Sequence, residues 1–83
     1  MKVWITKYAL TQGILTREAE VCHGINEEMI YVTGTAFENY HGEGRDWHRT
    51  KSQAVKKAEE MRDTKIISLR QQIDKLSDMV WPI

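Results

Sequence analysis

Apolar and polar residues alternate in short runs through the first 48 positions, then recur in steps of three and four. Alternation with a period of two is the mark of a strand with one face buried, and steps of three and four mark an amphipathic helix. Residues 2–8 (KVWITKY) place Val3 and Ile5 on one side and Trp4, Thr6 and Tyr8 on the other, which predicts a strand. ALTQG at 9–13 predicts a turn or short loop, with Gly13 able to take positive φ. Residues 14–23 predict a second strand, with Ala19 and Val21 opposite Glu18 and Glu20, followed by a turn at 24–28 and a third strand at 29–33. Gly34-Thr35 permits a tight reversal into a fourth strand at 36–40, where Ala36, Glu38 and Tyr40 oppose Phe37 and Asn39. HGEG at 41–44 predicts a flexible loop, and DWHR at 46–49 a short fifth strand.

Residues 50–80 hold no Gly and no Pro and are mostly strong helix formers. Thr50 and Gln53 have the spacing of a capping box, and Pro82 lies where a helix can no longer continue. Ala54, Val55, Ala58 and Met61 give the first half of this helix a stripe of mostly small residues, suited to close approach to a sheet. From Ile66 the pattern becomes Ile66, Leu69, Ile73, Leu76, Val80, a heptad register with β-branched residues at a and Leu at d, which favours two-stranded coiled coils. Arg62 falls in the same stripe between the halves. Two readings follow. The whole stripe packs on the chain's own sheet, with the Arg62 stem extended to water. Alternatively, about 29 helical residues span ~43 Å against ~20 Å for a six-residue strand, so the second half overhangs and takes a partner. The simplest partner is the same helix of a second copy, a homodimer through Ile66, Leu69, Ile73, Leu76 and Val80.

Strands followed by one long helix give an α+β fold: a small curled antiparallel sheet or open barrel of four to five strands, then a C-terminal helix. Val3, Ile5, Val21, Ile30 and Val32 are the expected core, closed by Phe37 and Trp47. The 83 residues are expected to form a single domain, sheet at 1–48 and helix at 50–80, without repeats or a linker.

Composition narrows this only a little. Hydrophobic content of 41% with 29% charged residues is ordinary for a globular domain, and no apolar run approaches the length of a membrane span. The N-terminal residues lack the pattern of a signal peptide, and Cys22, the lone cysteine, fits a reducing cytoplasm. The formal net charge is zero, but it is unevenly spread. Residues 1–44 carry three basic against six acidic side chains, net −3, and residues 45–83 carry nine against six, net +3. Between 45 and 57, Arg45, Arg49, Lys51, Lys56 and Lys57 face Asp46 alone, net +4.

Three stretches, KYALTQGI at the start, YHGEGRDWHRTKSQAVKKAEEMR in the middle and KIISLRQQIDKL near the end, resemble a group of small uncharacterised proteins encoded by bacteriophages and prophages. The resemblance covers most of the chain and brings no assigned functional residue. It implies an accessory protein made in a bacterial cytoplasm, one that binds and inhibits a host factor.

Residues 40–49 (YHGEGRDWHR) are the densest in chemistry-bearing side chains. Cys22 with His41 or His48 as a nucleophile–base pair, or Cys22, His23, His41 and His48 as a zinc set, have no recognised spacing, and adjacent Cys22 and His23 point to opposite faces of a strand. No catalytic residue, metal or cofactor is therefore expected. An anion or nucleic-acid contact is the alternative: Arg45, His48, Arg49, Lys51, Lys56 and Lys57 cluster where the helix begins, and Trp4, Tyr8, Tyr31 or Tyr40 offer stacking faces. Glu18, Glu20 and Glu38 on the same sheet oppose it. The leading expectation is a non-enzymatic protein-binding module of a phage or mobile element that occludes a host protein.

Overall fold

The computed structural model describes residues 1–22, 29–35 and 38–82. Its elements are strand β1 (Lys2–Ile5), a one-turn helix α1 (Ala9–Gln12), strands β2 (Leu15–Val21), β3 (Met29–Val32), β4 (Asn39–His41) and β5 (Trp47–His48), and the long helix α2 (Lys51–Ser77). The five strands form one antiparallel sheet in the order β4-β3-β2-β1-β5, so the expected α+β architecture is the observed one. The turn expected at 24–28 and the core position expected for Phe37 lie outside the described residues.

Register follows the alternation of the sequence. Ile5 stands opposite Leu15 and Trp47, Ala19 opposite Val32, Val21 opposite Ile30, and Ile30 opposite Tyr40. Directly opposed residues share a face, so these pairs assemble one apolar surface. Val3, Ile5, Ala19, Ile30, Val32, Tyr40 and Trp47 are its buried cluster, with Leu15 and Val21 partly buried against it. Val21 is thus a border residue, and Ala19 and Tyr40 take core places that composition alone did not give them.

The sheet curls because its connections demand it. β4 and β5 lie at opposite edges, yet only residues 42–46 join them. That loop is folded on itself: Arg45 N and Asp46 N both donate to Gly42 O, at 3.1 and 2.9 Å. It cannot span the ~19 Å between the edges of a flat five-stranded sheet, so the edges roll toward each other.

β1 stops at Ile5, three residues short of the sequence expectation. Thr6 N donates to Asp46 O at 2.9 Å, and Thr6 O accepts from Ala9 N at 3.0 Å, which starts the turn. Residues 9–12 are then helical, not a plain loop, and Gly13 closes them at φ 78°. α1 packs against α2.

α2 starts where expected. Thr50 is extended (φ −129°, ψ 150°) and its hydroxyl accepts from Gln53 N at 3.3 Å. The helix ends at Ser77, with Asp78 as its C-cap, so Val80 lies beyond the helix and not in it. Pro82 lies five residues beyond Ser77, so it restricts Trp81 and does not itself set the end of the helix. Ala54 is fully buried, and Lys57, Ala58 and Met61 are half-buried. These positions, spaced three and four apart, are the side of α2 that meets α1, β1 and β5. Val55, expected in that stripe, is exposed, because it lies one 100° step round from Ala54. The 27 residues of α2 run ~40 Å. The molecule measures 61 × 25 × 21 Å, so the helix lies along the long axis and half of it leaves the sheet behind.

Candidate functional site

Two surfaces contain the candidate residues. The first is the overhang of α2. Ile66 is 37% exposed, Leu69 43%, Ile73 60%, Leu76 65% and Val80 86%. Exposure rises steadily away from the sheet, as it must on a helix that meets no second layer. Helical steps of 100° put Ile66, Leu69, Ile73 and Leu76 within an ~80° arc, so they form one stripe. Ile67 and Trp81 are also more than half exposed. Ile67 lies about 100° outside the arc, and Trp81 follows Val80 past the end of the helix, so heptad counting passed over both. A row of exposed aliphatic side chains at helical spacing is the arrangement by which a helix enters an apolar groove or pairs with another helix.

The second surface is the basic junction, and the structure separates its members. His48 is buried, and its Nε2 lies 2.8 Å from the Thr6 hydroxyl. That hydroxyl has one proton, which it donates to Arg45 O at 2.9 Å. It can therefore only accept from His48, so neutral His48 carries its proton on Nε2. Burial, and next the positive charge of Lys57, push the His48 pKa below its ordinary value, with Glu43 opposing. His48 is thus a neutral structural donor inside the fold.

Arg45 and Arg49 are engaged by acids. Arg45 Nε is 3.6 Å from Asp46 Oδ1, and Arg49 donates to Glu43 Oε2 at 2.7 Å while lying 5.3 Å over the Trp47 ring. Lys51 is exposed at the first position of the helix. Lys56 and Lys57 line a groove of about 290 Å³ with His48, Gln53, Glu43 and Glu60. Glu43 is already held by Arg49, so in this groove Lys56 and Lys57 stand against Glu60, well short of the +4 counted along the chain.

The stacking faces divide similarly. Tyr40 is in the core, and its hydroxyl donates to Glu38 Oε1 at 2.7 Å; burial first, then this bond and the charge of Glu38, push its pKa up to about 12. It is therefore no platform for a base. Tyr31 is exposed but donates to Glu20 Oε2 at 2.7 Å, and Trp4 is half-buried beneath Lys2.

No family model, curated protein or solved structure matches the chain.

Cys22 follows β2 and His41 lies on β4, with β3 between them, and His48 is buried against Thr6, while His23 lies outside the described residues. Among the described residues no group of three or more His, Cys, Asp and Glu is placed to hold a metal ion, and no helix is long and apolar enough to cross a membrane. A second groove, of about 510 Å³, runs between Leu10 of α1 and Met61, Thr64 and Ser68 of α2. It is more apolar than the first, and the turn that the sequence predicts at 9–13 would supply no such wall.

Proposed function

We propose that this chain is a non-enzymatic protein-binding module whose interface is the overhanging half of α2. The single observation behind this is the stripe Ile66, Leu69, Ile73 and Leu76, exposed on a helix that has left its own sheet. Full burial of one such side chain is worth roughly 1.5–3 kcal/mol, and with these four 37–65% exposed a covering partner gains part of that from each, set against the cost of association. The resemblance to phage and prophage proteins supports a bacterial cytoplasm as the setting and a host protein, occluded by the helix, among the partners. The nucleic-acid alternative draws less support, since Arg45 and Arg49 are paired with acids and Tyr40 is in the core.

The test is a pair of baits, wild type and the double variant Leu69→Lys/Leu76→Lys. Neither leucine touches the core cluster, so the variant is expected to keep the wild-type melting temperature. A protein bound stoichiometrically by the wild type from bacterial lysate and lost by the variant supports the reading. Equal recovery on both baits, or recovery that nuclease abolishes, removes it.

A further inference from the structure

We infer that the first partner of this helix is a second copy of the same chain, and that the two helices pair antiparallel; this rests on the overhang being a protein interface. The orientation is decided by charge. With Ile66 and Ile73 at a and Leu69 and Leu76 at d, Arg62 occupies the preceding d position, Lys65 is at g and Arg70 at e. In a parallel pair, d faces d and g faces the following e of the other chain. Arg62 would then meet Arg62 at the seam, and Lys65 would meet Arg70 on both flanks. Like charges so placed oppose association.

The antiparallel pair removes the Arg62–Arg62 and Lys65–Arg70 conflicts and leaves one like-charge approach, Arg70 beside Arg70 of the second copy near the two-fold axis. There an a position faces d, and the register that keeps every apolar residue covered sets Ile66 against Leu76 and Leu69 against Ile73, each twice. Arg62 then comes level with residue 80 of the second copy, past the end of its α2 at Ser77. It meets no arginine but the C-terminal end of a helix, where open carbonyls and Asp78 favour a cation. Arg70 lies within a turn of Asp74 of the second copy on the same flank of the seam, whereas Lys65, at g, is level with Ser77 without facing it. The tail from 62 to 70 carries Arg62, Lys65 and Arg70 against Asp63, and the tail from 71 to 80 carries Asp74 and Asp78 against Lys75. A basic half and an acidic half on one helix complement each other only head to tail. The antiparallel arrangement also sends the two sheets to opposite ends of the seam, so neither obstructs the other.

The experiment uses sedimentation of the wild type together with two single-cysteine variants, Ile66→Cys and Leu76→Cys, each in a Cys22→Ser background, and a short thiol-to-thiol crosslinker. In the antiparallel pair residue 66 lies beside residue 76 of the other copy. Two copies of residue 66 are then ten positions apart along the seam, ~15 Å. The expected result is a mass twice 9.7 kDa at high micromolar concentration, with crosslinking when the two variants are mixed and little with either alone. Crosslinking of each variant alone overturns the antiparallel orientation and leaves the tail as a protein interface. A wild type that stays monomeric, or a dimer with no crosslink in the mixture, overturns pairing through this seam. The broader protein-binding reading is then decided by the Leu69→Lys/Leu76→Lys baits, whose result does not depend on self-association.

Discussion

Thr6 joins three parts of the molecule at one side chain and its own backbone: it donates to Arg45 O, accepts from His48 and bonds Asp46 O through its amide. A charged His48 has to be accommodated in the same buried place, so the histidine titrates below its ordinary value of 6.5 when folded. The unfolded chain then binds the proton more readily, and stability falls as pH drops below about 6.5, levelling off only below the folded pKa. Melting temperatures from pH 8 to pH 5 should show this decline, and His48→Gln should flatten it; an equal slope in both proteins rules His48 out as its origin. Trp47 is fully buried opposite Ile5, and Trp47→Ala should destabilise the fold by about 3–5 kcal/mol in chemical denaturation. Gly42 sits at φ 85° with Arg45 Nε 3.0 Å from where a Cβ would be, so Gly42→Ala should cost about 1–2 kcal/mol through the left-handed backbone alone. Trp47 as a core plug was readable from its size and from the alternation around it. The burial of His48 was not, because it depends on Thr6, 42 residues away in sequence, and no local pattern reports a contact of that kind.

At the scale of elements, strands and helix were readable wherever periodicity was strong, and their ends were not. Thr6 and Tyr8 continue the alternation of β1 and predict a longer strand, while the bond from Thr6 N to Asp46 O turns the chain away. The four residues of α1 hold too little pattern to distinguish a one-turn helix from a plain turn. The overhang of α2 was legible from length alone, since helix rise and strand rise are fixed quantities and only one of the two elements was long. Which residues hold the near half was less so: Ala54 is buried and its neighbour Val55 is exposed, a difference only the rotation of the helix decides. The basic cluster illustrates the opposite limit, because the acids that pair with Arg45 and Arg49 lie close by, yet a running charge count over 45–57 excludes Glu43. Hydrogen exchange tests the two halves of α2 separately. Amides at 54–61 should share the protection of the strands. Those at 66–77 should exchange faster in dilute protein and slow as concentration rises, and concentration-independent exchange there would speak against any seam between copies.

At the scale of the whole molecule, zero net charge hides two halves of opposite sign, but the sheet–helix junction uses much of its basic charge internally. With Lys51, Lys56 and Lys57 as the cations remaining of the five between 45 and 57, binding to a short single strand should be weak. Its logarithm should fall with log salt at a slope no steeper than about −2. Fluorescence anisotropy of a labelled strand reads this directly, and a slope near −4 would restore the junction as a nucleic-acid surface. The 61 Å axis has a separate consequence. A body nearly three times as long as it is wide does not tumble equally about all directions. Rotation of the long axis is slow, and spinning about it is fast. Backbone N–H bonds in α2 point along that axis and are reoriented only by the slow motion, whereas those of the sheet sample both. Nitrogen-15 relaxation should therefore divide the chain without any ligand or mutation, with transverse-to-longitudinal rate ratios higher through 51–61 than in the strands. The proposed antiparallel pairing would lengthen the rotor and widen that gap with concentration.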